Sequence, residues 1–339
     1  MDRDGSPAGR QGAPEARHGG PEPAGRHGTL AALNNPDQPV RPEQPTRAAR
    51  PTEPMRRPTP GPDVAPIPFS PVRSGIAALV AVVLATLLVF GSRLDSTAYA
   101  GVCFAVQALF VAAWTLGGKP PGPYVVGAVG IIAAIGADVA VVYSPERSLA
   151  PLGYVVAGAF VLGVIGQLVR GGGRARVTES IGAVAVVTVG VVALATPVLL
   201  SRYPAGGEAL LACMLAAGIG LFVARLSDTV IHQPRVSPQV PRGAVGVVLG
   251  AMAGTAIAGW AGSVVVGLTP GVAAVAGVVV AVSAVLADLG MVFAETGRLL
   301  AGDDGSRWLV RAMLGPLVAI AVAAPAAYLL SVLMIVKGL

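Results

Sequence analysis

From residue 74 onward the chain consists of long stretches without a charged residue, separated by short polar breaks, whereas residues 1–73 contain no comparable apolar run. A helix needs about 20 apolar residues to cross a hydrocarbon core of about 30 Å. Nine stretches reach that length, at approximately 74–92, 98–117, 124–143, 149–169, 180–200, 208–226, 244–267, 271–290 and 312–336. Each is predicted to span a membrane as a helix, because a helix pairs its backbone polar groups within the segment where lipid offers no partner. The seventh and eighth share one uncharged run of 45 residues between Arg242 and Asp288. That is about twice what one crossing needs at about 1.5 Å per residue. LTPG at 268–271 carries the turn chemistry to fold the run into an antiparallel hairpin.

Composition agrees with the pattern. The chain is 54% hydrophobic and 12% charged, far from the charge content of an ordinary soluble domain. Residues 1–73 differ: they hold 16 of the 29 prolines, ten arginines and eight acids. Such a segment has too little apolar surface to offset its ordering entropy, so it is expected to be a disordered cytoplasmic tail. The fold expected is therefore an all-α polytopic integral membrane protein, with a tail over 1–73 and a transmembrane domain over 74–339. The tail's arginines at 47, 50, 56, 57 and 73 thicken toward the first apolar run, which adds weak attraction to anionic headgroups. That run begins only after Arg73, which speaks against an N-terminal secretory signal. Cys103 and Cys213 lie inside apolar runs without metal or redox spacing and read as packing residues.

Charge fixes the sides. Placing the N-terminus inside puts Lys119, Arg170, Arg174, Arg176, Arg225, Arg235, Arg242, Arg298, Arg307 and Arg311 in inner loops, ten in all, against four outer basic residues. The positive-inside rule then gives a cytoplasmic N-terminus and an external C-terminus, in a multi-pass protein of the plasma membrane. Six acids fall on the inner side: Glu179, Asp228, Asp288, Glu295, Asp303 and Asp304. Five of the six flank the seventh and eighth spans, whose hairpin returns both connections to one membrane face, making that face the candidate site. Asp138 lies within the third span, five residues before Tyr143, close enough to the outer end to snorkel or to pair with Arg147. Gln107 and Gln167 suit interhelical hydrogen bonds, and Gly246, Gly250 and Gly254 suit close helix packing. Neither a P-loop nor an H-E-x-x-H zinc motif is present.

The polar segment RLSDTVIHQPRVSPQVPRG at 225–243 carries a further likeness. Ser227, Asp228 and Thr229 end one span, PRVSPQVPRG follows at 234–243, and a glycine-rich span comes next. Later, Ala287, Asp288 and Leu289 end a span, and ETGRLLAGDDG at 295–305 precedes the last. In content and order, residues 208–335 resemble the phosphatidate cytidylyltransferases, or CDP-diacylglycerol synthases, membrane enzymes of phospholipid biosynthesis. The family's S-P-K-K lysines are matched by Gln239 and Val240, its following glutamate by Arg242, its histidine by Asp303, and its D-R-x-D by nothing.

The resemblance implies attack of a phosphatidate phosphate oxygen on the α-phosphate of CTP, releasing pyrophosphate, with Mg2+ neutralising the phosphates. Carried over to this chain, Asp228 and Asp288 would be the catalytic carboxylates and metal ligands, with Glu295, Asp303 and Asp304 as further ligands. Ser237, Arg235, Arg242 and Arg298 would bind substrate, a guanidinium taking two phosphate oxygens at once. Membrane lipids, phosphatidate and CTP are the implied partners; no nucleic acid is expected, and a homodimer is left open. Three readings follow: a cytidylyltransferase-like nucleotidyltransferase, a non-catalytic descendant acting as scaffold or lipid-binding protein, and a small transporter resting on Asp138. His232 is an alternative acid or base near neutral pH, or a solvated loop residue.

Overall fold

A computed structural model describes residues 67–169, 176–231, 233–302 and 307–333. These contain α1 (Pro71–Gly91), α2 (Ser96–Gly118), α3 (Pro123–Tyr143), α4 (Ala150–Val169), α5 (Val177–Ser201), α6 (Gly206–Val230), α7 (Ala244–Val264), α8 (Pro270–Leu300) and α9 (Trp308–Ser331). All nine are long and apolar enough to cross a membrane, and each answers one expected span. The tail reading for 1–66 lies outside the described residues. Residues 67–73, assigned above to that tail, belong instead to the helical body: Pro71 opens α1, and Arg73 pairs with Glu295 of α8 at 2.8 Å.

Local chemistry sets the helix ends. Asp95 caps α2, its carboxylate accepting from the N–H groups of Thr97 and Ala98 at 3.1 Å. Pro120 and Pro121 follow the last turn of α2, and Pro123 opens α3 at a position where the missing N–H leaves nothing unpaired. Arg307, just before α9, and Arg311 in its first turn donate to the carbonyls of Leu116 and Gly117 at 2.8 and 3.2 Å, stitching the start of α9 to the end of α2. In the LTPG turn Thr269 caps α8, accepting from the Val272 N–H, with Pro270 next in the first turn.

α6 packs against α1, α7 and α8, while α5 packs against α2, α3 and α4; α9 touches both groups. Leu84, Phe110, Leu194, Met214 and Leu317 share one buried apolar cluster. Lipid removes the ordinary hydrophobic drive between spans, so close backbone approach carries more of the association. The α6–α7 contact shows how. Cβ atoms added at Gly250 and Gly254 would come within 2.5 Å of the backbone carbonyls of Gly220 and Ala216. The glycine face of α7 is thus a packing surface against α6, as its spacing suggested.

Two expected boundaries move, and both moves matter for the site. α6 continues through Arg225 and Asp228 to Val230, and α8 runs 31 residues, ten beyond the expected end at 290. At about 1.5 Å per residue α8 is about 46 Å long, well over the hydrocarbon thickness. Span counting ends a helix near the limit of its apolar run, soon after Arg225 and Asp288. Here the charges on α6 and α8 meet partners inside the protein, so the helices pass straight through them.

Candidate functional site

Arg225 and Asp228 stand three residues apart on α6 and so share a face. After α6 the chain turns through a short loop closed by backbone hydrogen bonds from Val236 N–H to Arg242 C=O and from Ala244 N–H to Pro234 C=O, both 2.9 Å. Folding the loop this way carries Arg242 inward, and its side chain is fully buried. Asp288 arrives from α8 on the other side of the hairpin and is also fully buried.

These four side chains form one ionic cluster. Asp288 accepts from Arg225 Nη2 at 2.5 Å through one oxygen and from Arg242 Nη1 at 2.6 Å through the other. Asp228 Oδ2 lies 2.7 Å from Arg242 Nε, and Asp228 Oδ1 accepts the Gly243 N–H at 3.1 Å. Two carboxylates meet two guanidiniums, and the formal charge sums to zero. An isolated buried ion is expensive, and mutual pairing offsets part of that penalty, although Asp228 Oδ2, Arg225 Nε and Arg242 Nε and Nη2 make no hydrogen bond. Two glycines make the space. A Cβ at Gly246 would sit 2.5 Å from Asp228 Oδ1, and one at Gly315 of α9 would collide with Asp288 Oδ1 and come within 2.9 Å of Arg225 Nη2.

Beside the cluster, at the same end of the bundle, a pocket of about 70 Å³ opens between the start of α1, the end of α8 and the start of α9. Arg73, Arg225, Arg298 and Arg311 line it with Glu295, and Ser70, Ser74 and Thr296 add hydroxyls. Glu295 is turned to Arg73, and Arg225 to Asp288. Among the described residues Arg298 carries no ion pair. The lining is thus net basic. The pocket's volume is well under the about 300–1,000 Å³ of sites that enclose drug-sized ligands, so it suits a phosphate group better than a nucleotide.

The structure thus brings together some of the expected site residues and separates others. Asp228, Asp288 and Arg242 meet and are buried, the two aspartates inside helices and Arg242 in the loop before α7. Glu295 and Arg298 lie on the extension of α8 and line the neighbouring pocket. Arg235 donates to the carbonyls of Pro238 and Ile67, and the Ser237 carbonyl accepts from Val240; neither residue lines the pocket. Asp303, Asp304 and His232 lie outside the described residues. Arg225, Arg73 and Arg311 were not singled out as site residues. Arg225 had a signal, its helical spacing to Asp228, while Arg73 and Arg311 reach the site only through helix packing.

Magnesium favours near-octahedral oxygen ligation by one or two carboxylates with waters and substrate phosphates. The carboxylates here are committed otherwise, both oxygens of Asp288 to guanidiniums and those of Asp228 to Arg242 and a backbone N–H. Among the described residues no three His, Cys, Asp or Glu side chains come close enough to share a metal ion. As arranged, this donor set does not fit magnesium.

A second buried carboxylate sits elsewhere. Asp138 of α3 is 7% exposed and accepts from Gln107 Nε2 at 3.1 Å, and the same nitrogen donates to the Val191 carbonyl of α5 at 3.1 Å. The expected partner, Arg147, instead lies over the Tyr203 ring, 5.7 Å from its centroid. Asp138 faces inward among α2, α3 and α5, so it cannot snorkel to the surface. Gln167 makes the interhelical bond expected of it, donating to Ser180 Oγ at 2.6 Å.

No protein-family model, curated protein or solved structure matches the chain.

Proposed function

We propose that this chain is a phosphatidate cytidylyltransferase-like membrane protein that binds the phosphate of an anionic phospholipid of the phosphatidate class, as a lipid-binding rather than a nucleotidyl-transferring member. The observation that carries this reading is the closed Arg225–Asp228–Arg242–Asp288 cluster beside the arginine-lined pocket. The carboxylates that would hold metal in the enzyme hold arginines here, while further arginines face an adjoining space of phosphate size. The ordered likeness over 208–335 supports lipid phosphate as the ligand, and the excess of inner-loop arginines supports a cytoplasmic site in the plasma membrane.

Arg298 is the residue to test. Its guanidinium would pair with the headgroup phosphate, while Arg225 and Arg242 stay committed to the carboxylates. Purified full-length protein in nanodiscs is expected to bind phosphatidate in preference to diacylglycerol or phosphatidylcholine, and Arg298→Gln to weaken phosphatidate binding about tenfold. Equal binding of phosphatidate and diacylglycerol would remove the reading.

A further inference from the structure

A larger space shares a lining residue with the arginine pocket. It is an apolar groove of about 470 Å³ between α2, α5 and α9, walled by Trp114, Val189, Gly190, Ala321 and Val322, and reaching Met291 of α8. Met291 also lines the arginine pocket, so this one side chain borders both spaces. α9 runs along both. Its Leu314 and Gly315 border the pocket, and Val318, Ala321 and Val322 border the groove, in helical steps that keep one face. From Gly315 to Val322 the helix rises about 10 Å, away from the charged end and toward the middle of the bundle.

The groove has depth because of Gly190, where a Cβ would lie 2.5 Å from the Phe110 ring. It opens sideways, since Val189 is 57% and Val322 42% exposed. An apolar groove on a membrane protein would by itself meet only bulk lipid. This one shares Met291 and one face of α9 with the arginine-lined pocket, and a cationic pocket next to an apolar groove has the charge pattern of an anionic phospholipid.

We infer that the arginine pocket and the α2/α5/α9 groove are one site for a single phospholipid, its phosphate at Arg298 and one acyl chain laid along α9 past Met291. The inference rests on the lipid-phosphate reading above and adds where the chain runs. The acyl chain then contributes to affinity directly, and the site distinguishes a whole lipid from its headgroup alone.

The test uses the full chain in detergent with two probes: dioleoyl phosphatidate, read by native mass spectrometry, and glycerol 3-phosphate, read by phosphorus NMR. Val322→Trp and Val189→Trp fill the groove, and Leu168→Trp on α4 is the control, at a position 70% exposed and outside the groove. Both groove variants are expected to lower dioleoyl phosphatidate affinity about tenfold and to leave glycerol 3-phosphate unchanged. The control is expected to change neither. Wild-type protein exposed to phosphatidate with a mid-chain diazirine is expected to carry the label on 186–193 and 318–322, a readout that no folding defect can mimic. Wild-type affinity for dioleoyl phosphatidate in both groove variants, with Arg298→Gln weakening both probes, would overturn the acyl path and leave the phosphate reading standing. Label found only on α4 would overturn it as well. An Arg298→Gln protein that binds both probes as wild type would remove the phosphate reading and this inference with it.

Discussion

Two places in this bundle bury an aspartate inside a membrane-spanning helix, and they do so by opposite means. At the basic end, Asp228 and Asp288 are fully buried and matched by two guanidiniums with nearly every oxygen engaged. Within the α2–α5 group, Asp138 has one neutral amide for a partner, and its second oxygen has no hydrogen bond. The first arrangement spans four elements, α6, the loop before α7, α8 and, through Gly315, α9. The second joins α2 to α3, with Gln107 reaching α5 as well. A cluster in which each charge depends on the others is a structural keystone, and removing one member strands the rest. A single polar contact is local, and its loss is felt locally.

That difference predicts a graded series of stability effects, measured as thermal unfolding of purified protein in one detergent. Arg242→Ala is expected to be the most damaging, because it leaves an oxygen on each of two buried aspartates unpaired; breaking a buried pair costs about 3–5 kcal/mol. Arg242→Lys is expected to recover only part of that loss, since a compact ammonium cannot fork between two carboxylates. An Arg242→Ala protein as stable as wild type would break the comparison. Next comes Gly315→Ala, whose added methyl meets Asp288 and Arg225, at about 1–3 kcal/mol for overpacking. Asp138→Ala is expected to cost less, about 0.6 kcal/mol and at most about 1.7, the mean and maximum for interhelical polar contacts, because Gln107 keeps its bond to Val191. A loss at Asp138 equal to that at Arg242 would show that the α2–α5 contact is as integral as the ionic cluster. Smallest is Arg73→Ala, which removes a partly exposed ion pair worth about 0–1 kcal/mol.

Much of the architecture was legible in the sequence, because span length is a hard constraint and LTPG punctuates the one ambiguous run. The convergence of Asp228 and Asp288 was legible too, since a hairpin returns its flanks to one face. What could not be read was the state of those carboxylates. Arg242 looks like a loop arginine obeying the positive-inside rule, and four backbone hydrogen bonds within 234–244 turn it inward. Arg225 looked like the end of a span, and the helix passes through it because Asp288 receives its charge. Arg73 reaches Glu295 across 222 positions, a contact that only the packing of α1 near α8 could reveal. Asp138 was misread for a related reason: distance along one helix suggested Arg147, while the neighbour across the helix interface is Gln107.

In the function proposed above, the arginines stand where a nucleotidyl-transferring enzyme would hold metal, and the protein binds lipid phosphate without transferring a nucleotide. The most direct measurement is pyrophosphate release and CDP-diacylglycerol formation by purified protein in lipid with magnesium, CTP and phosphatidate, beside Asp288→Asn. The account predicts no release above that variant, and phosphatidate binding that is the same with magnesium and with EDTA. Magnesium-dependent CDP-diacylglycerol formation that Asp288→Asn abolishes would contradict it and make the cluster the resting form of an active site.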